Sequence, residues 1–105
     1  MQETAVRFAI CDDDKTYAEK MKALILQTFQ LPQPVECVIY LNQEQILKYY
    51  REDKIDIVFM DIEFGDVIGF QVARRLSRQD SQLAVVYMTN YEHYICLLYT
   101  SDAAD

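Results

Sequence analysis

The sequence lacks any apolar run long enough to cross a membrane, and its N-terminus lacks a basic segment followed by an apolar one. A membrane-spanning helix needs roughly 18 consecutive apolar residues, and no stretch of the 105 residues approaches that length. The missing leader pattern argues against export. We therefore expect a cytoplasmic protein that makes no contact with membranes.

Cysteine and histidine are scarce. The three cysteines, Cys11, Cys37 and Cys96, are odd in number and match no zinc or redox spacing, so we expect reduced thiols rather than disulfides. The single histidine, His93, has no cysteine or acidic partner at ligand spacing. We therefore predict that it lies on the surface.

Positive charge is also in short supply. Ten lysines and arginines face 17 acidic residues, which gives a formal net charge of −7. Nucleic acids and anionic membranes bind basic surfaces, so this chain is not expected to bind either directly. The hydrophobic content of 51% and the length predict one globular domain.

The apolar residues fall into short runs with little polar alternation, which is typical of strands covered on both faces. The predicted strands are Val6 to Cys11, Val35 to Tyr40, Ile55 to Met60 and Leu83 to Met88. Between them lie segments with helical spacing: Ala18, Met21, Leu24, Ile25 and Phe29; Ile46, Leu47 and Tyr50; and Phe70, Ala73 and Leu76. The order βαβαβαβ predicts an α/β domain with a doubly wound parallel sheet.

Local signals agree with these helices. Asp14 lies where the N-cap of the first helix belongs, and Asn42 with Gln45 three residues later forms a capping pattern before the second. Pro32 and Pro34 follow the first helix. We expect Asp14 to cap its helix rather than bind a metal.

Acidic side chains follow two of the predicted strands. Asp12 and Asp13 come directly after the first strand, and Asp61 follows the third. Ligands of such sheets bind at the carboxyl ends of the strands, so we expect the three carboxylates to converge. Clustered carboxylates suit Mg²⁺, and a carboxylate beside that ion can accept a phosphoryl group.

Three segments carry a family resemblance over about residues 6–95. "ICDDD" after the first strand, "IVFMDIEFGDVIGF" around the third and "VVYMTN" at the end of the fourth resemble the receiver domain of two-component response regulators. The resemblance implies a flavodoxin-like fold and a histidine kinase as the phosphoryl donor. Within the family, the chain is most similar to receivers that precede a LytTR-type DNA-binding output domain.

The resemblance also implies a role for individual residues. Asp61 would be the phosphoacceptor, and Asp12, Asp13 and the backbone carbonyl of Glu63 would complete the Mg²⁺ site. Thr89 would be the switch hydroxyl, and Gly69 matches a glycine of the loop beyond the acceptor. Such a domain is a phosphorylation-dependent switch rather than a turnover enzyme.

The C-terminal part departs from the family pattern. Receivers carry a lysine at the end of a fifth strand, whereas no lysine follows Lys54 here. The last ten residues, "CLLYTSDAAD", resemble the in-frame translation of a transposase adapter used to prepare sequencing libraries. We therefore expect an incomplete receiver over residues 1–95, truncated after the fourth strand and the start of helix four, and a non-native tail over residues 96–105.

Two alternatives remain. Asp12, Asp14 and Thr16 also form the D-x-D-x-T pattern of haloacid-dehalogenase-like phosphatases, in which Asp12 would be the nucleophile. Their later lysine and acidic pair are absent from the sequence. The second alternative is a pseudo-receiver, which keeps the fold but acts without phosphorylation.

Overall fold

The computed structural model describes residues 5–65 and 67–88. The predicted start of helix four and the ten-residue tail lie outside them. In chain order the elements are β1 (Val6–Cys11), α1 (Lys15–Thr28), β2 (Val35–Tyr40), α2 (Gln43–Tyr49), β3 (Ile57–Asp61), β4 (Glu63–Phe64), β5 (Val67–Ile68), α3 (Gly69–Gln79) and β6 (Ala84–Met88). No helix among these has the length and apolar composition of a membrane span.

Four parallel strands form the main sheet, in the order β2-β1-β3-β6. All four predicted strands are therefore confirmed, and two of them have shifted ends. The third begins at Ile57 rather than Ile55, because the Ile55 amide donates to the Tyr50 carbonyl, 3.1 Å away, in the preceding turn. It extends to Asp61, which pairs with Met88 of β6.

Helices cover both faces of the sheet, as a doubly wound fold requires. Alternate residues of a strand point to opposite faces, so Phe8 and Ile10 pack with Ala18 and Ile25 of α1. On the other face lies a cluster from α2, α3 and the strands: Ala9, Cys11, Tyr40, Ile46, Tyr50, Ile55, Val58, Met60, Phe64, Val72, Leu76 and Leu83. The predicted flavodoxin-like architecture is confirmed over the described residues.

The predicted N-caps are also confirmed. The Tyr17 amide donates to Oδ1 of Asp14 at 3.1 Å, and the Gln45 amide donates to Oδ1 of Asn42 at 2.9 Å. The Gln45 side chain accepts from the Leu41 amide at 2.7 Å, one residue before the cap. These bonds satisfy amides that a helix start leaves unpaired.

Three predicted core residues are exposed instead, and one of them, Phe29, is the C-cap residue that follows α1 and is 38% exposed. Leu24 is 53% exposed, because Ala18, Met21 and Ile25 already define the inward stripe of α1 and Leu24 is rotated away from it. Phe70 is 46% exposed at the start of α3, and Val72 takes its place in the core. The Phe70 ring lies edge-on to that of Tyr87, with 4.6 Å between the ring centroids.

Candidate functional site

Three carboxylates meet at the carboxyl edge of the main sheet. The central strands β1 and β3 are paired up to Cys11 and Met60, so the residues that follow, Asp12 and Asp61, emerge side by side. One oxygen from each of Asp12, Asp13 and Asp61 lies within 4.8 Å of the others. The convergence predicted from the sequence is therefore present, and we call this group the acidic cluster.

The three members of the acidic cluster differ in accessibility. Asp12 is only 2% exposed, whereas Asp13 is exposed and Asp61 is half-buried. Asp12 is held from two sides: its amide donates to the Tyr40 carbonyl at 3.2 Å, and its Oδ1 accepts from the Asp14 amide at 2.9 Å. Asp61 is thus the member that combines a fixed strand position with access from outside.

The electrostatics of the cluster favour a bound cation. Burial, followed by the negative charge of Asp12, raises the pKa of Asp61 to about 7. Burial also raises the pKa of Asp12, with smaller contributions from Asp13 and Asp14, and the Asp14 amide opposes the shift. Burial and mutual repulsion therefore disfavour the ionised forms of Asp12 and Asp61, and a bound divalent cation would favour them.

The segment after Asp61 forms a small hairpin that the sequence did not reveal. Strands β4 and β5 pair antiparallel, with Glu63 opposite Ile68, and Gly65 between them has a φ of 66°. A Cβ atom on Gly65 would lie 4.0 Å from that of Asp13, so the hairpin tip reaches the acidic cluster. Two-residue strands leave no periodic pattern, and the only sequence signal was a Gly-Asp turn pair.

Backbone contacts fix the residues on either side of this hairpin. The Glu63 amide donates to Oδ1 of Asp61 at 3.3 Å, and the Gly69 amide donates to the Ile62 carbonyl at 2.6 Å. Gly69 begins α3 directly against Asp61, where there is no room for a side chain. The use of the Glu63 carbonyl as a metal ligand stays a prediction.

Two of the residues singled out in the sequence, Thr89 and His93, lie outside the described residues. Thr89 is the next residue in the sequence after Met88, the register partner of Asp61. Its role as the switch hydroxyl stays a prediction.

A half-buried tyrosine in the first turn of α1 was missed by the sequence analysis. Burial raises the pKa of the Tyr17 hydroxyl, and the charges of Asp12 and Asp61 raise it further. Tyr17 precedes Met21 by four residues, so helical spacing places the two on one face. That spacing was the signal that could have identified it.

The acidic cluster suits a hard divalent ion. Carboxylate oxygens are the ligands that Mg²⁺ prefers, and this ion takes only one or two of them directly and keeps several waters. The combination of an accessible Asp61, a rigid buried Asp12 and an exposed Asp13 provides such a set. The donor set therefore fits Mg²⁺.

Comparison with known proteins agrees with this architecture. The sequence profile of the response regulator receiver domain matches residues 8–103, so the match continues past the predicted boundary at residue 95. The crystal structure of response regulator protein TrrA from Thermotoga maritima, in complex with Mg²⁺-BeF, superimposes with a TM-score of 0.72 at 24% identity. That alignment covers 86% of this chain and 74% of TrrA, and it supports the fold.

Two curated relatives are sensory transduction proteins. The chain is 33% identical over 98 residues to LytR of Streptococcus mutans and 28% identical over 102 residues to LytT of Bacillus anthracis. These alignments cover 91% and 95% of this chain, but the chain spans only 39% of the length of each relative. With the profile match across nearly the whole sequence, they show that the chain belongs to the response regulator receiver domain family of two-component signalling.

Proposed function

We propose that this receiver domain accepts a phosphoryl group on Asp61 from a histidine kinase. The observation that carries the proposal is the acidic cluster, in which Asp61 is accessible and Asp12 is not. A nucleophile must be reached by its donor in line. The burial of Asp12 therefore disfavours the phosphatase alternative, which requires Asp12 as the nucleophile.

In the proposed reaction, a carboxylate oxygen of Asp61 attacks the phosphorus atom of the donor. An aspartyl phosphate forms, the P–N bond of phosphohistidine breaks, and the imidazole leaves with the bonding electrons. With acetyl phosphate the P–O bond breaks and acetate leaves. Asp61 must be ionised to attack, so the raised pKa of its carboxyl group has to be offset before the reaction.

Asp12, Asp13, Asp61 and the Glu63 carbonyl would hold Mg²⁺ in this proposal. When bound, the ion supplies positive charge that offsets the charge on the carboxylates and on the phosphoryl oxygens. Other residues of the chain position the side chain and the backbone of Asp61. The Glu63 amide orients one Asp61 oxygen, at 3.3 Å, and Gly69 packs directly against the Asp61 backbone carbonyl.

We also propose that the domain is a cytoplasmic switch and not a turnover enzyme. Phosphorylation would draw Thr89 toward the phosphoryl group and shift the population between two conformations. The curated relatives named LytR and LytT are much longer than this chain. They support a parent protein with a LytTR-type DNA-binding output domain.

Acetyl phosphate labelling tests the proposed acceptor. We expect the full-length parent, with its fifth strand and lysine, to incorporate phosphate in the presence of Mg²⁺, its Asp61→Asn variant to lose incorporation, and its Asp80→Asn variant at the C-cap of α3 to retain it. Labelling that survives in Asp61→Asn but is lost in Asp12→Asn would support the phosphatase. A folded full-length parent without any labelling would support the pseudo-receiver.

The native extent of the domain needs a separate test. We propose that residues 1–95 are native receiver sequence and that residues 96–105 are not, although the family match extends to residue 103. Genomic DNA downstream of the Ile95 codon would show a fifth strand with a lysine, followed by an output domain, if this is right. A native gene that encodes "CLLYTSDAAD" would contradict it.

A further inference from the structure

The position of Tyr17 follows from how α1 crosses the sheet. Strands β1 and β2 are parallel neighbours joined through α1, so the helix runs back antiparallel to them. Met21 of α1 and Phe59 of β3 pack against the same buried cluster. Met21 therefore marks the position of this cluster along α1, and Phe59 marks it along β3.

Tyr17, counted from Met21, and Asp61, counted from Phe59, are both displaced toward the carboxyl edge of the sheet. Tyr17 is four residues before Met21, about 6 Å along the helix. Asp61 is two residues after Phe59, on the same face of β3 and about 6.6 Å along the strand. Because helix and strand are antiparallel, both steps lead to the carboxyl edge, so Tyr17 and Asp61 both lie at that edge, on the α1 face of the sheet.

Contacts at the start of α1 support this placement. The Tyr17 amide donates to Oδ1 of Asp14 at 3.1 Å, and the Asp14 amide donates to Oδ1 of Asp12 at 2.9 Å. These bonds tie the first turn of the helix to the acidic cluster. Burial, followed by the charges of Asp12 and Asp61, raises the pKa of the half-buried Tyr17 hydroxyl, which agrees with this placement.

A phenol has the chemistry that this pocket needs. The acidic cluster offers only acceptor oxygens, and a phosphoryl group on Asp61 would add more. A tyrosine hydroxyl is protonated at neutral pH and can donate a hydrogen bond without bringing negative charge. Such a donor would stabilise the phosphorylated state more than the free carboxylate.

We propose that Tyr17 binds the phosphoryl group, with its hydroxyl donating a hydrogen bond to a phosphoryl oxygen on Asp61. This inference rests on the proposed function, because it requires Asp61 to be the acceptor. It adds to the site a residue that distinguishes the phosphorylated state from the free one. The hydroxyl is not required to hold the metal.

Beryllium fluoride, added with Mg²⁺ to the intact chain, tests the inference through binding measured by calorimetry. A lost hydrogen bond to a charged group is worth about a tenfold change in affinity or more. We expect Tyr17→Phe to weaken beryllium fluoride binding about tenfold and to leave Mg²⁺ affinity and the thermal midpoint unchanged. Tyr49→Phe, on the exposed face of α2, is the matched control and should bind like the wild type.

The possible outcomes separate the two proposals. If Tyr17→Phe binds beryllium fluoride as tightly as the wild type, the proposed role of Tyr17 is wrong. The role is also wrong if Tyr17→Phe loses as much affinity for Mg²⁺ as it loses for beryllium fluoride. In both cases the assignment of Asp61 as the acceptor stands. If the folded wild-type chain binds Mg²⁺ and beryllium fluoride no better than Asp61→Asn, the proposed function fails and the inference falls with it.

Discussion

The first residue of α3, Gly69, lies directly against the backbone carbonyl of Asp61. A Cβ atom built on Gly69 would fall well inside van der Waals contact with that carbonyl oxygen and would lie 3.0 Å from Cγ of Met60. The Gly69 amide also donates to the Ile62 carbonyl at 2.6 Å. The first residue of α3 is therefore in direct contact with the backbone of the proposed acceptor, Asp61.

Replacing this glycine should be costly. Gly69→Ala forces a methyl group into backbone atoms that cannot rotate away, and we expect a loss of about 3 kcal/mol in the free energy of unfolding. Gly65→Ala is the matched control, because position 65 has a φ of 66° but no close contact. Only the left-handed backbone penalty of about 1–2 kcal/mol applies there. Equal losses for the two variants in urea denaturation would contradict the close packing.

Stability should depend on pH through Asp61 when no divalent cation is bound. Its pKa is about 7 in the folded chain against about 3.9 unfolded, so the folded state binds more protons between these values. The contribution of Asp61 to stability is then fully present below about pH 3.9 and falls as the pH rises to about 7, by about 1–2 kcal/mol after solvent screening.

Urea denaturation at pH 5 and pH 8 in the presence of a chelator measures this effect. The fall in stability should be smaller in Asp61→Asn, which cannot ionise at that position, and the remaining fall belongs to Asp12, whose pKa is also raised by burial. Saturating Mg²⁺ should also reduce it in the wild type. A wild-type chain that is more stable at pH 8 than at pH 5 without metal would show that Asp61 does not hold its proton.

Mg²⁺ should stabilise the folded chain through the acidic cluster. At ten times the dissociation constant, binding to the folded state alone adds about 1.4 kcal/mol. We expect this increase in the wild type and in Asp80→Asn, and a smaller or absent increase in Asp13→Asn. Thermal unfolding with and without Mg²⁺ is the measurement, and an equal increase in Asp13→Asn would place the ion elsewhere.

Capping and metal binding can be separated at Asp14. Because its Oδ1 accepts from the Tyr17 amide, Asp14→Ala should cost about 1 kcal/mol of stability, whereas Asp14→Asn should cost much less. Neither change removes a member of the acidic cluster. If Asp14→Asn keeps its stability but loses most of its Mg²⁺ affinity, the assignment of Asp14 as a cap alone is wrong.

The sequence predicted those parts of the fold that depend on local patterns. The runs Val6–Cys11 and Val35–Tyr40 have the bounds of β1 and β2, because strands covered on both faces are apolar throughout. The N-caps Asp14 and Asn42 depend on residues three positions away. The meeting of Asp12 and Asp61 followed from parallel topology alone.

Features set by tertiary contacts were not predictable in this way. The exposure of Leu24 and Phe70 depends on how each helix is rotated against the sheet. Likewise, the hairpin after Asp61 depends on the burial of Phe64, which is 1% exposed. The approach of Gly69 to Asp61 joins residues eight positions apart through backbone atoms, and no composition or periodicity encodes that contact.

Locating the acyl phosphate is the most direct test of the central claim. The full-length parent would be treated with acetyl phosphate and Mg²⁺, reduced with borohydride to convert the phosphorylated aspartate to homoserine, and digested for mass spectrometry. We predict that the reduced residue is Asp61 and that the peptide carrying Asp12 to Asp14 is unchanged. Reduction at Asp12 with Asp61 intact would contradict the account.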